Sequence, residues 1–500
     1  MKSIPSVRNN IIANFSGKAW ASAFSLAFVP VYIKLMGVEV YGLLGVFMSL
    51  GAILSLLDLG LSATLSRELS RLSAVEDSGR ESRNLVRTFE TVYWGIGILI
   101  GIVVIALAPL IAKYWINSGG IDGETVERTL MIMGMSIAIQ WPGSIYSGGL
   151  MGLQRQVVLN IIRSVMVMVQ HAGAVLVLVF VSPSILSFFL WQSFVGLLST
   201  IALAVWLWKS LPQSVHQAEF DKGLLIKGWR FATGITGISL VTILLTQLDK
   251  IILSKMLTLE MFAYYMLAFN VANALHNLVT PISSALFPKF TQIVALGEKA
   301  KLAILYHQGC QLLSVLVLPA AITIAIFSKE ILTLWLGDTE ATQNAYQILT
   351  LLMIGTALNA LMTLPYTVQL AYGWTRLIFY TNVTAVILLV PLMVWMVEMY
   401  QGIGAACAWI ILNSGYYIFL VPIMHRSLLK GEMGKWYRRD IILPILITTA
   451  IGLFARTIMP VDASKLITLF GMLITLVLTF SASVLAADNL NFRMLKANRS

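Results

Sequence analysis

Apolar stretches long enough to cross a bilayer recur along this chain from end to end, and nothing else constrains its fold as strongly. A hydrocarbon core about 30 Å thick needs roughly 20 apolar residues per crossing helix, and within it every backbone amide must be satisfied inside the segment. The chain reads as an all-α integral membrane protein with about fourteen transmembrane helices. The expected spans are 11–35, 40–65, 88–114, 129–152, 157–181, 185–208 and 229–257, then 260–288, 305–327, 344–372, 375–397, 403–425, 441–459 and 465–487. Composition agrees: 11% of residues are charged, against about 25% in soluble domains. External connections are short. The longest, 328–343, carries Ile331, Leu332, Leu334, Trp335 and Leu336, which are expected to lie flat in the interface.

The opening segment has basic residues before an apolar run, as a signal peptide does. Asn14 and Lys18 interrupt that run, and it continues past Pro30 to Leu35, so it is expected to be retained as the first helix. Cys310 and Cys407 lie in apolar helices and lack paired spacing, so neither a metal site nor a redox role is expected. Phosphate-binding, metalloprotease and serine-hydrolase motifs are absent, so no catalytic residue and no cofactor is assigned.

A net charge of +11 would suit a nucleic-acid partner if the cations were clustered for one. They fall instead in alternate loops, among them Arg67, Arg71, Arg80, Arg83 and Arg87, then Lys209, Lys222, Lys227 and Arg230, then Arg426, Lys430, Lys435, Arg438 and Arg439. Roughly 25 cations lie on that side and about seven on the other, which puts the rich side and both termini in the cytoplasm. The basic charge reports topology, and no nucleic acid is implied.

Sliding the chain against itself gives an offset of 221 residues, at which Lys34-Leu35-Met36-Gly37-Val38-Glu39 falls on Lys255-Met256-Leu257-Thr258-Leu259-Glu260, and Gly152-Leu153-Gln154-Arg155 falls on Gly373-Trp374-Thr375-Arg376. Six spans is an even number, so the repeats are parallel. The expected organisation is a six-helix bundle over 1–212, a second over 222–428, and two additional helices within 436–500.

Ionisable residues inside a membrane are costly and mark candidate sites. Lys18 and Asp58 lie at similar depths in the first two spans, and a tight hairpin near Val38 would make them neighbours. Asp249 and Lys250 are adjacent in the seventh span; pointing about 100° apart, they are expected to find separate partners. Asn160, Arg163 and His171 share a stripe of the fifth span, while His276 and His307 are buried-histidine candidates. The eighth span carries Asn270, Asn273, Asn277 and Ser284 on one face, and the tenth carries Asn359, Thr363 and Tyr366. Amides and hydroxyls suit sugar hydroxyls, cations suit phosphate, and together they point to an anionic glycolipid. Packing glue between helices is the competing reading for the amide stripes.

The run Asn14-Phe15-Ser16-Gly17 with Pro30, then Leu35 to Gly42, then Asp58-Leu59-Gly60-Leu61-Ser62 before Arg67-Glu68 resembles the polysaccharide transporters of the multidrug/oligosaccharidyl-lipid/polysaccharide flippase superfamily, the Wzx-type O-antigen flippases among them. The resemblance implies a non-enzymatic flippase in the bacterial inner membrane that moves polyprenyl-pyrophosphate-linked oligosaccharide by alternating access, for cell-surface polysaccharide synthesis. Its partners would be the anionic lipid-linked oligosaccharide, membrane lipids and polysaccharide assembly proteins. On this reading Lys18, Arg163 and Lys250 bind pyrophosphate, and Asn270, Asn273, Asn277, Asn359 and Tyr366 meet sugar. Asp58, Asp249, His171 and His276 balance charge or couple H⁺ or Na⁺. Lipid II flippases of that superfamily line their cavity with several arginines, and the eighth span here has none, which argues against lipid II as substrate. The alternatives are an organic-cation antiporter of the same superfamily, whose substrates a Lys-bearing lumen would repel, and a membrane glycan polymerase or ligase, which would carry a large external loop.

Overall fold

The computed structural model describes residues 7–487 apart from 59, 74, 76, 77 and 461–463; the side chains of 7–16, 18, 19, 227–240, 242 and 243 also fall outside the described set. It is helical throughout, with no strand among the described residues. Nine helical stretches in that set are long and apolar enough to cross a membrane.

The chain divides into two compact units, Met1–Ala263 and Tyr264–Ser500. The first contains α1 (Val7–Met36), α2 (Val38–Leu54), α3 (Leu61–Leu72), α4 (Gly79–Tyr114), α5 (Gly123–Gln140), α6 (Gly143–Gly152), α7 (Gln156–Phe180), α8 (Ile185–Ser210) and α9 (Lys222–Met256). Helix α10 (Leu259–Asn273) begins in the first unit and ends in the second. The second holds α11 (His276–Ala295), α12 (Lys299–Ile326), α13 (Ser328–Leu336), α14 (Glu340–Leu361), α15 (Thr363–Ala371), α16 (Thr375–Gly415), α17 (Val421–Leu428), α18 (Met433–Lys435), α19 (Leu443–Ile458) and α20 (Lys465–Ala486). Side-chain caps fix several helix starts: Asp221 accepts from the Gly223 and Leu224 amides at 2.7 and 3.2 Å, and Ser184 accepts from that of Ser187 at 3.2 Å.

Four of the spans expected to be single helices are broken. The second becomes α2 and α3, separated by a 3₁₀ turn over Ser55–Asp58 and by Gly60, whose φ of 77° is left-handed. The fourth breaks at Trp141 and Pro142, where proline offers no amide to continue the ladder. The eighth breaks between Asn273 and His276, where Ala274 and Leu275 bond three residues back, to Val271 and Ala272. The tenth breaks at Met362. Some helix ends fall at the same offset: α2 and α10 start at Val38 and Leu259, and α5 and α14 end at Gln140 and Leu361, each pair 221 residues apart. Expected spans eleven and twelve are joined in α16, which turns at Gln401, where φ is 52° and ψ is −133°. The stretch expected to lie in the interface forms α13, tied to α19 by Arg456, whose guanidinium lies 2.6 Å from Glu330 and 5.5 Å from the centre of the Phe327 ring.

The core of the first unit is built from Leu61, Leu65 and Leu69 of α3, Phe89 and Tyr93 of α4, Tyr146 and Leu150 of α6, and Leu207 of α8. Helices α3 and α6 approach closely because Gly148 and Gly152 face the α3 backbone; a Cβ there would sit 2.6 Å from the Ser62 carbonyl oxygen and 2.3 Å from that of Ser66. This is the small-residue spacing that brings helices together in lipid, where packing supplies what hydrophobic collapse supplies in water. Outward faces are apolar. On α4, Ile98, Leu99, Ile102 and Val103 are exposed, and on α20 so are Leu466, Phe470, Leu473, Ile474 and Val477, as a hydrocarbon solvent requires.

Candidate functional site

The break in the second span shapes the surroundings of Asp58. It ends the 3₁₀ turn, so its carboxylate leaves the helical ladder and accepts from Ser62 Oγ of the next helix at 2.9 Å, and from the Tyr93 hydroxyl of α4. The expected Lys18–Asp58 pair lies outside the described residues, because the Lys18 side chain does. Asp58 is thus an anion already served by two neutral donors in its own unit.

Helix α1 packs on α7 through polar groups. His171 has both ring nitrogens engaged, Nε2 with Ser25 Oγ at 3.0 Å and Nδ1 with the Tyr32 hydroxyl at 2.8 Å. Asn160, one of the stripe residues, is buried and donates to the Gln156 carbonyl at 2.8 Å. Arg163 of the same helix is exposed, and no hydrogen-bond or ion-pair partner is found for it among the described residues. The stripe therefore separates into His171, which joins α7 to α1, Asn160, which is buried and bonded within α7, and one exposed cation.

The adjacent charges of α9 depart from expectation. Lys250, only 3% exposed, folds back so that its ammonium lies 3.2 Å from Asp249 Oδ1 and 2.9 Å from the Thr246 carbonyl. A helical offset of about 100° separates Cβ atoms, but a four-carbon stem is long enough to swing across it. The two pair with one another, which the sequence argument did not expect.

The amide stripes are interrupted as well. Asn270 and Asn273 end α10 while His276 and Asn277 begin α11, so the intervening turn removes the single helical face on which they were placed. Asn273 is exposed, and Asn270, His276 and Asn277 are half-buried. Asn359 donates to Asn413 Oδ1 at 2.8 Å, and the wholly buried Asn413 donates to the Trp409 carbonyl at 2.8 Å, so this amide pair joins α14 to α16. Tyr366 lies beyond the Met362 break, half-buried on α15.

Two polar clusters are absent from the sequence reading. In the first unit, the buried Glu90 of α4 accepts from the Tyr146 hydroxyl at 2.7 Å, from Arg87 at 3.0 Å and from the Trp208 indole at 3.3 Å. In the second, the fully buried Asp440 accepts from His307 through its Oδ2 and from Gln311 at 3.0 Å, while its backbone carbonyl accepts from Ser314 Oγ. The other nitrogen of His307 lies 3.1 Å from Glu432, which also pairs with Lys435 at 2.9 Å. Glu432, at the end of the membrane segment, titrates below the ordinary glutamate range; the Lys435 hydrogen bond is the main cause, burial opposes it, and His307 adds to it. Asp440 sits in a π-helical segment, Trp436–Ile442, a form common where a helix accommodates an inserted interaction. The available signal was His307, Gln311 and Ser314 at helical spacing, a polar ridge on an otherwise apolar helix.

A many-spanning helical bundle with broken helices and buried, internally paired charges defines the transporter class of membrane protein. Solved structures share the fold: the lipid II flippase MurJ in an inward closed conformation superposes with a TM-score of 0.70 at 15% identity, covering 97% of this chain and 99% of that one. An inward-facing multidrug resistance MATE family transporter of the MOP superfamily gives 0.62 at 12% identity over 84% of this chain and 96% of its own. The family model described as polysaccharide biosynthesis protein matches residues 7–294, and the chain belongs to that family. Among its relatives, the "Putative O-antigen transporter" of Shigella flexneri is 21% identical over 407 residues, covering 81% of this chain and 94% of that one. The lipopolysaccharide biosynthesis protein WzxC of Escherichia coli (strain K12) is 24% identical over 234 residues, 45% of this chain and 47% of its own.

Proposed function

We propose that this protein is a flippase that carries a polyprenyl-pyrophosphate-linked oligosaccharide across the bacterial inner membrane by alternating access, supplying cell-surface polysaccharide assembly. The observation that carries the reading is the alignment with the Shigella O-antigen transporter, which runs over 81% of this chain. Family membership supports it, and the shared flippase fold supplies the architecture. The role is that of a carrier; no catalytic step is assigned.

Arg163 is the leading pyrophosphate ligand, since a guanidinium offers paired donors to phosphate oxygens and this one is exposed on α7. Lys18 is the second, and Lys250 would have to exchange Asp249 for substrate. Asn270, Asn273, Asn277 and Tyr366 are the sugar-facing candidates, whereas Asn359 is engaged with Asn413. Asp58, Asp249, His171 and His276 remain the candidates for H⁺ or Na⁺ coupling; of these, Asp58 would exchange the protons of Tyr93 and Ser62 for an ion.

The test is reconstitution of the purified protein in vesicles carrying a polyprenyl-pyrophosphate oligosaccharide in one leaflet, with exposure in the other leaflet read by a glycosidase or lectin. Exposure should accelerate with protein, slow in Arg163→Ala and recover in part in Arg163→Lys. Export of organic cations without glycolipid movement would replace this reading with the multidrug one.

A further inference from the structure

In the first unit, the start of α4 and the end of α8 frame an open cavity of about 560 Å³ whose walls include Arg83, Trp208, Lys209, Gln213 and Val205. Both helices are membrane spans, so their ends, and the cavity with them, lie at the boundary of hydrocarbon and water. Arg83 is held in place: its Nε donates to the Pro212 carbonyl at 2.9 Å and its guanidinium carbon lies 5.9 Å from the centre of the Trp208 ring. Arg87 stacks on the same indole at 5.4 Å, and the indole is pinned by its bond to the buried Glu90. Glu90 is committed to Arg87, Trp208 and Tyr146, so it does not neutralise the cavity. Among the described residues, neither Arg83 nor Lys209 has a carboxylate partner.

Two cations without carboxylate partners among the described residues line one cavity, and the stacked indole orients the Arg83 guanidinium within it, an arrangement that favours an anion. The terminal nitrogens of Arg83 present a planar fork and Lys209 a point charge, the pair of donors that suits a phosphate. The wall toward the membrane is apolar, with Val205 exposed at 43%, and a soluble anion would leave that wall unused. We propose that this cavity binds the headgroup of an anionic membrane phospholipid, Arg83 and Lys209 holding its phosphate while Val205 and Ala204 meet the upper part of its acyl chain. The site is separate from the residues assigned to the transported glycolipid, and the proposal stands whether or not the flippase reading does.

The experiment is native mass spectrometry of the purified full-length protein with phosphatidylglycerol or phosphatidylcholine. Phosphatidylglycerol should be retained preferentially. Each cation near a membrane surface contributes about a fivefold preference, so Arg83→Gln/Lys209→Gln should lower phosphatidylglycerol binding roughly thirtyfold, while Arg80→Gln, on the same helix but outside the cavity, should not. Millimolar inorganic phosphate or pyrophosphate should not displace the lipid. Equal retention of the two lipids, unchanged binding by the double variant, or displacement by free phosphate would each overturn the proposal. Should the double variant fail to fold, a Gln213→Cys chain gives the answer in vesicles: maleimide labelling should be slower in phosphatidylglycerol than in phosphatidylcholine, and equal rates would refute the site.

Discussion

Replacing His307 by alanine removes a side chain that bonds both Asp440 and Glu432. Asp440 is fully buried, so it cannot turn to water for a replacement donor. Removing one partner of a buried charged pair costs about 3 to 5 kcal/mol, because the other is left uncompensated in a low dielectric. Gln311 still donates to Asp440 at 3.0 Å, which places the expected loss near the lower bound, about 3 kcal/mol. Asp440→Ala should cost a similar amount by stranding His307 and Gln311. The double variant should lose less than the sum, by about 2 kcal/mol, since the residues are in direct contact. Equilibrium unfolding in mixed detergent micelles, with the four proteins compared at one pH, gives the cycle. Additive losses, or a His307→Ala cost within about 0.5 kcal/mol of zero, the range of ordinary surface substitutions, would refute the clasp.

Three further outcomes follow from features described above. Gly152→Leu should abolish the monodisperse species in size-exclusion chromatography, because even its Cβ would meet the Ser66 carbonyl oxygen at 2.3 Å; retention of that species with an unchanged melting temperature would contradict the α3–α6 contact. Glu432 has a folded-state pKa below its unfolded value, so its contribution is present above the unfolded pKa and is lost as pH falls through the folded one; Lys435→Met should raise the pH of that acid loss, by an energy of about 0.5 kcal/mol because Lys435 is exposed. Melting curves between neutral and acid pH would show it, and an unmoved acid limb would reject it. Single cysteines at Ser78 and Gly431 should label only from the cytoplasm and those at Gly120 and Thr339 only from outside; reversal at any two would overturn the orientation argued from charge.

Helix class was legible because it depends on a quantity written directly into the chain, the length of apolar runs. The breaks were less so. Gly60, Pro142 and Pro365, whose missing amide leaves the Leu361 carbonyl without its helical donor, are local signals at three of them, but nothing at Ala274 departs from helix-forming chemistry. The candidate residues show the same division. Asn359 and His171 were recognisable as polar groups in an apolar helix, yet whether such a group faces substrate or another helix depends on partners at Asn413 or Ser25, which no local pattern identifies. Asp440 was overlooked because it follows Arg438 and Arg439 and reads as part of a charged loop; its importance comes from a helix more than a hundred residues earlier.

That attachment bears on how such proteins can be recombined. Helices α19 and α20 look like a detachable C-terminal cassette, yet the carboxylate that anchors them is received by α12. A chimera that takes its terminal cassette from a relative lacking an acidic residue at the Asp440 position would leave His307 and Gln311 facing an apolar surface. One that brings in the aspartate without their counterparts would bury a bare anion. The cassette and the α12 ridge therefore have to be inherited, or engineered, as one unit.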